Sequence, residues 1–151
     1  MFESVATQLD VRLKTVGAIM TSCVVTIEMD DSLQVIQDIF RRVQFHHLVV
    51  VDKGKIVGII SDRDFFKAIS PFVNTLSETN RDRATPEKRA HQIMSHSPIP
   101  VLKSCPIEKA TKMMLERGVS CLPVTNSDCM VEGILTWKDL FKAFLRHNSD
   151  S

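Results

Sequence analysis

The sequence is poor in the residues on which most recognisable site chemistries depend: five glycines, one tryptophan, no tyrosine and four cysteines among 151 residues. Neither GxxxxGK[S/T] nor GxGxxG occurs, and GxSxG and HExxH are equally absent. The common phosphate-loop, dinucleotide, serine-hydrolase and metalloprotease signatures are thereby excluded. Cys23, Cys105, Cys121 and Cys129 form no CxxC pair, so no zinc site is expected. They read instead as reduced, mostly buried thiols of a cytoplasmic protein. A charge surplus is missing too: 19 Lys and Arg stand against 18 Asp and Glu, for a net charge of +1. That balance supplies no general attraction to nucleic acid or anionic membrane. Long apolar runs are lacking: Leu48 to Val51 and Ile56 to Ile60 are far too short for a bilayer. Residues 1–15 carry Glu3 and Asp10 and no continuous apolar stretch, so no secretory signal is expected.

What is present is a repeat. With 44% hydrophobic residues the chain can bury a core as one compact domain or two small, closely packed ones. Shifting the sequence by 74 places lays Ile19-Met20 on Ile93-Met94, Leu48 on Leu122 and Val50 on Val124. One extra residue then moves the offset to 75, so that Gly58-Ile59 meets Gly133-Ile134, Asp64 meets Asp139, and Phe66-Lys67-Ala68 meets Phe141-Lys142-Ala143. The insertion falls where Asp52 to Lys55 and Asn126 to Cys129 read as hairpin connections, which tolerate length changes.

Both copies predict the order β-α-β-β-α. In the first, a strand at Val24 to Ile27 leads to a helix capped by Asp31 or Ser32, with Leu33, Ile36, Ile39, Phe40 and Val43 on one face. Two apolar strands follow, Leu48 to Val51 and Ile56 to Ile60, then a helix from about Asp62 to Ser70. The second copy runs through a strand at Ile99 to Leu102 and a helix opened by Pro106 and closed by Gly118. Strands at Cys121 to Thr125 and Met130 to Leu135 and a helix from about Trp137 to His147 complete it. The expected division is an N-terminal extension (1–15), repeat one (16–70), an exposed polar linker (71–87), repeat two (88–147) and a short tail (148–151). Units this small cannot shield their own sheets and must pack as a pair.

Val16 to Thr21 with Gln92 to Ser95, Leu122-Pro123-Val124, and Gly58 to Asp64 with Gly133 to Asp139, in this order and spacing, resemble the cystathionine-β-synthase (CBS) domain family. The resemblance implies a mixed α/β (α+β) fold of two CBS repeats related by a pseudo-two-fold axis. It also implies a disc-like module, commonly stacked into homodimers, with an adenosine-containing ligand such as AMP, ADP, ATP or S-adenosylmethionine in a cleft between the repeats.

The residues themselves place the strongest binding chemistry in the strand-to-helix turns Ser61-x-x-Asp64 and Thr136-x-x-Asp139. There a hydroxyl and helix N-terminal N–H groups suit a phosphate, and the carboxylate suits a ribose diol. The same pattern is a capping box that needs no ligand. By resemblance, adenine is read by Val25, Thr26, His47 and Val49 in copy one and by Ile99, Pro100, Cys121 and Pro123 in copy two. Arg63, Lys138 and the histidines His46 and His47 are candidate phosphate partners. Adjacent strand residues face opposite ways, so His46 and His47 do not share a metal.

Val49 against Pro123, Thr26 against Pro100 and Asp62 against Trp137 make the two copies unequal, so one site is expected to serve. Trp137 suits either a base or an interface. Cys121 with His46 or His47 lacks an oxyanion donor set and an orienting third group, so no catalytic residue, no enzyme and no required cofactor are expected. The expected function is a sensor that regulates a protein in trans, set against a docking module without ligand.

Overall fold

The computed structural model describes residues 15–69, 88–96 and 98–149. The expected linker, nearly all of the N-terminal extension and the last two tail positions lie outside the described residues. In chain order the elements are α1 (Val16–Ile19), β1 (Thr26–Glu28), α2 (Leu33–Arg42), β2 (His47–Asp52), β3 (Lys55–Ser61) and α3 (Asp62–Ala68). Then come α4 (Ala90–Ile93), β4 (Ser95–His96), α5 (Ile107–Arg117), β5 (Cys121–Thr125), β6 (Val131–Thr136) and α6 (Trp137–Ser149). The chain divides into two compact units: a central one, Val25–Pro98, and a terminal one that joins the segment through Val24 to the segment from Ile99 onward.

In the central unit a four-stranded sheet runs β1-β2-β3-β4, with β1 parallel to β2 and the other pairs antiparallel. The β2–β3 turn is closed by Lys53 and Gly54 at φ 52° and 82°. Two left-handed residues match the twist of a hairpin, which is why this connection is so short. Helix α2 starts where the Ser32 hydroxyl accepts from Val35 N at 3.3 Å, and it turns Leu33 and Ile36 inward. They meet Leu48, Val50, Ile60 and Phe65 in a core that also takes Ala90 and Met94.

The terminal unit repeats this plan on β5 and β6, with Val101 bridging Val124 in parallel on one side and Thr21 bridging Ile134 in antiparallel on the other. Its core holds Val16, Ile19, Ala110, Met114, Leu122, Val124 and Leu135. Helix α5 ends at Gly118 with φ 64°, a left-handed cap that glycine adopts without a Cβ penalty. Both hairpins carry an irregularity at the same place, between Val50 and Val51 and between Val124 and Thr125. The inserted residue lies in the second turn, where Asn126 N donates to Met130 O at 3.0 Å and Cys129 takes φ 64°.

One feature adds to the sequence expectations and one departs from them. The opening segment of each repeat packs on the other repeat's hairpin: Val16 and Ile19 serve the core of β5 and β6, whereas Ala90 and Met94 serve that of β2 and β3. Each incoming segment covers what would otherwise be an open hairpin edge. The expected strand Ile99 to Leu102 is reduced to a single bridge at Val101. The cause is chemical. Val49 N donates to Val25 O at 3.1 Å in the central unit, but Pro123, which stands in Val49's place, has no N–H to give.

Candidate functional site

In β2, Leu48 and Val50 belong to the core, so His47 and Val49 face the opposite side of the sheet. Thr26 is register partner to Val49, and Ser61 to His47. These four residues therefore share one face at the end of the sheet where α3 begins, with Thr26 exposed, His47 and Ser61 half-buried and Val49 fully buried. Val25 is not among them: its side chain packs on the core and its carbonyl accepts from Val49 N, so the structure does not bring it to the Thr26–His47–Val49 face. Arg63 is exposed in the first turn of α3.

At that turn, Asp64 N donates to Ser61 Oγ at 3.0 Å, and Ser61 N donates to Asp64 Oδ2 at 2.9 Å. The pattern is a complete capping box. Among the described residues no further donor reaches the half-buried Asp64 carboxylate, which leaves Oδ1 as an acceptor at a helix N-terminus. Beside it, His46 Nδ1 lies 2.9 Å from Asp62 Oδ2. Burial works to raise the Asp62 carboxyl, but the hydrogen bonds with His46 and at the Arg63 backbone outweigh it and hold the group below its ordinary range.

His47 is held below its ordinary value of 6.5, first by burial and then by His46, with Asp62 and Asp64 opposing. The folded chain thus binds fewer protons at this site than the unfolded chain. The stability carried by neutral His47 is fully present above 6.5 and is lost as pH falls below it through the lower folded value. Between about pH 7.5 and 5.5, chemical denaturation should show wild type losing more stability than His47→Gln. Equal losses would remove His47 as the titrating group.

The terminal unit assembles the matching set: Cys121 opposite Thr136 and Pro123 opposite Ile134, on the face away from the core residues Leu122 and Val124. Half-buried Ile99 and exposed Pro100 precede the Val101 bridge, and Lys138 is exposed in the first turn of α6. Here the turn is occupied. Asp139, only 7% exposed, accepts from Thr136 N at 2.9 Å and Thr136 Oγ1 at 3.1 Å through Oδ2. Through Oδ1 it accepts from Thr21 Oγ1 at 2.8 Å. Thr21 was not recognised as a site residue from the sequence. The available signal was its place after Ile19-Met20, matched by Ser95 after Ile93-Met94.

Burial, helped by the negative charge of Asp139, pushes the Cys121 thiol up to about 12. It stays protonated at neutral pH and is no thiolate nucleophile. Of the four cysteines, all free, only Cys121 is buried, and Cys23 and Cys129 are exposed, which corrects the expectation that most are buried. Trp137 packs against the terminal core and stacks on Phe141 at 6.4 Å between ring centroids. Among the described residues no group of His, Cys, Asp and Glu is placed to hold a metal ion, and no helix is long and apolar enough to cross a membrane.

The sequence matches the CBS domain twice, over residues 16–71 and 90–146. The chain belongs to the CBS-domain family. A CBS domain-containing protein of Dictyostelium discoideum is 33% identical over 136 residues, which cover 87% of this chain and 91% of that one. An uncharacterized protein of Methanocaldococcus jannaschii is 31% identical over 101 residues, 66% of this chain but only 36% of its own length. Among solved structures, CBSX2 in complex with AMP superimposes with a TM-score of 0.73 at 26% identity, covering 88% of this chain and 97% of that one. The CBS domain pair of a second protein, solved with 5′-methylthioadenosine and S-adenosyl-L-methionine, gives 0.71 at 26% identity, covering 86% and 94%. The CBS fold is thus a mixed α/β arrangement of paired repeats, and this chain has it.

Proposed function

We propose that this CBS pair senses an adenosine-containing ligand at the Ser61–Asp64 turn and that occupancy modulates a partner protein or a homodimer of the chain. The observation that carries the reading is the contrast at the aspartates. Among the described residues Asp64 keeps an acceptor oxygen beside a hydroxyl, a histidine and a helix N-terminus, whereas Asp139 has both oxygens engaged. In the proposed complex Asp64 accepts from the ribose diol, and Ser61 and the α3 N–H groups meet a phosphate or other polar tail. Arg63 adds positive charge from the first turn, and Thr26, His47 and Val49 border the base. Ile99, Pro100, Cys121, Pro123, Thr136, Lys138 and Asp139 form the weaker, internally satisfied counterpart.

Two CBS pairs of comparable length that hold AMP, or methylthioadenosine and S-adenosylmethionine, support the ligand class. Occupancy can shift a partner or a dimer only if the ligand prefers one arrangement over the other. Calorimetric titration with AMP, ADP, ATP, S-adenosylmethionine and methylthioadenosine tests the reading. Saturable binding of at least one, with one site per chain, is expected. If none of the five binds, the ligand-independent docking function stands instead.

A further inference from the structure

Thr21 and Ser95 hold matching places: Thr21 bridges Ile134 and Ser95 pairs with Ile59, each next to the glycine of its hairpin. They behave differently. The Thr21 hydroxyl donates to Asp139 Oδ1 at 2.8 Å, and among the described residues Ser95 makes no corresponding bond to Asp64. A β-branched threonine has few side-chain rotamers, so its hydroxyl is held on the carboxylate, whereas a serine at an exposed position turns freely. The backbone secures this further, because Thr21 N donates to Ile134 O and Ile134 N donates to Thr21 O, both at 2.9 Å.

A hydroxyl donating to a carboxylate that also caps its own helix is the contact a ribose hydroxyl makes in the reading given above. We infer that Thr21 is an internal stand-in for a ligand hydroxyl, which keeps the Thr136–Asp139 turn closed and, of the two turns, leaves Ser61–Asp64 open to ligand. The inference rests on that reading for the chemistry of the ligand, and Thr21 acts as a gating residue. A ligand at the terminal turn must displace a hydroxyl that is already in place and already covalently delivered. An intramolecular donor competes with free ligand at a high effective concentration.

Thr21→Val keeps the size and branching and removes the donor. In the full chain, calorimetry with AMP should then count two sites per chain where wild type has one, and adding Asp139→Asn should remove the second. Thr21→Val that binds no more AMP than wild type overturns the inference. In an Asp64→Ala background, a newly gained, Asp139-dependent site upholds the Thr21 gate even if wild type binds no AMP. That last outcome would count against the proposed central site alone. The reciprocal Ser95→Thr changes an exposed residue and is expected to fold. Carrying the gate to the central unit, it should weaken AMP binding by about tenfold, the equivalent of one charge-assisted hydrogen bond. Unchanged affinity in Ser95→Thr contradicts the gate even if Thr21→Val fails to fold.

Discussion

Asp64→Ala is expected to weaken AMP binding by about tenfold to a hundredfold, because hydrogen bonds to a charged group contribute about 1.5–3 kcal/mol each. Its effect on folding should be small. The substitution removes one half of a capping box in a turn that keeps its other half, since the Ser61 hydroxyl still accepts from residue 64 N, and such caps contribute about 1 kcal/mol. Asp139→Ala is expected to behave in the opposite way. It takes the acceptor from Thr136 N, Thr136 Oγ1 and Thr21 Oγ1 in a side chain only 7% exposed. Stability should fall by about 2–4 kcal/mol while AMP affinity of the folded chain stays near wild type. Calorimetry paired with urea denaturation separates the two behaviours. Equal binding losses in both variants would mean that the two turns serve alike.

Gly133→Ala should destabilise the chain by about 1–3 kcal/mol, the range found when atoms are forced into a packed interior. A Cβ there would lie 2.7 Å from Thr21 O and 2.8 Å from Met20 Sδ. The carbonyl cannot withdraw without breaking the Thr21–Ile134 bridge, so the exchanged segment itself must move. Gly58→Ala meets the same obstacle from the other exchanged segment, with Met94 Sδ in contact, Met94 Cγ at 2.8 Å and Ser95 O at 3.0 Å. Methionine yields more readily than backbone, so the smaller loss is expected at Gly58. Neither glycine has a positive φ, whereas Gly118, at φ 64°, has nothing within 4 Å of an added Cβ. Gly118→Ala therefore isolates the conformational cost from the steric one. Thermal unfolding of the three variants measures both, and a Gly133→Ala chain as stable as wild type would refute the close approach of Thr21 to β6.

The difference between what could and could not be read in advance follows from what a sequence encodes. The helix of Leu33, Ile36 and Ile39, the apolar run Leu48 to Val51 and the stop at Gly118 are local patterns, and the elements appear where those patterns place them. The matching irregularities after Val50 and Val124 follow from the repeat itself. Which hairpin each opening segment covers is a different matter. Val16 and Ile19 are apolar whichever sheet they meet, and chain order says nothing about the partner. The signal that could have shown it is steric: a glycine in each hairpin, Gly58 and Gly133, where a neighbouring backbone comes close. The strand lost at Val101 has a readable cause in Pro123, which differs from Val49 in the other copy and has no N–H to offer.

At the site, the turns Ser61–Asp64 and Thr136–Asp139 were legible because their spacing is a local rule, and the structure shows both as formed. The sequence also makes the two copies unequal, but through Val49 against Pro123, Thr26 against Pro100 and Asp62 against Trp137. The difference in hydrogen bonding instead comes from Thr21, 118 residues away from Asp139 in the chain. No periodicity links two such positions.

Residue-resolved NMR of the full chain during AMP titration tests the central claim most directly. Amide shifts that saturate together at Thr26, His47, Ser61 and Asp64, with Thr21, Thr136 and Asp139 unmoved, are the predicted result. Shifts confined to Thr136 and Asp139, or none at saturating AMP, would contradict it.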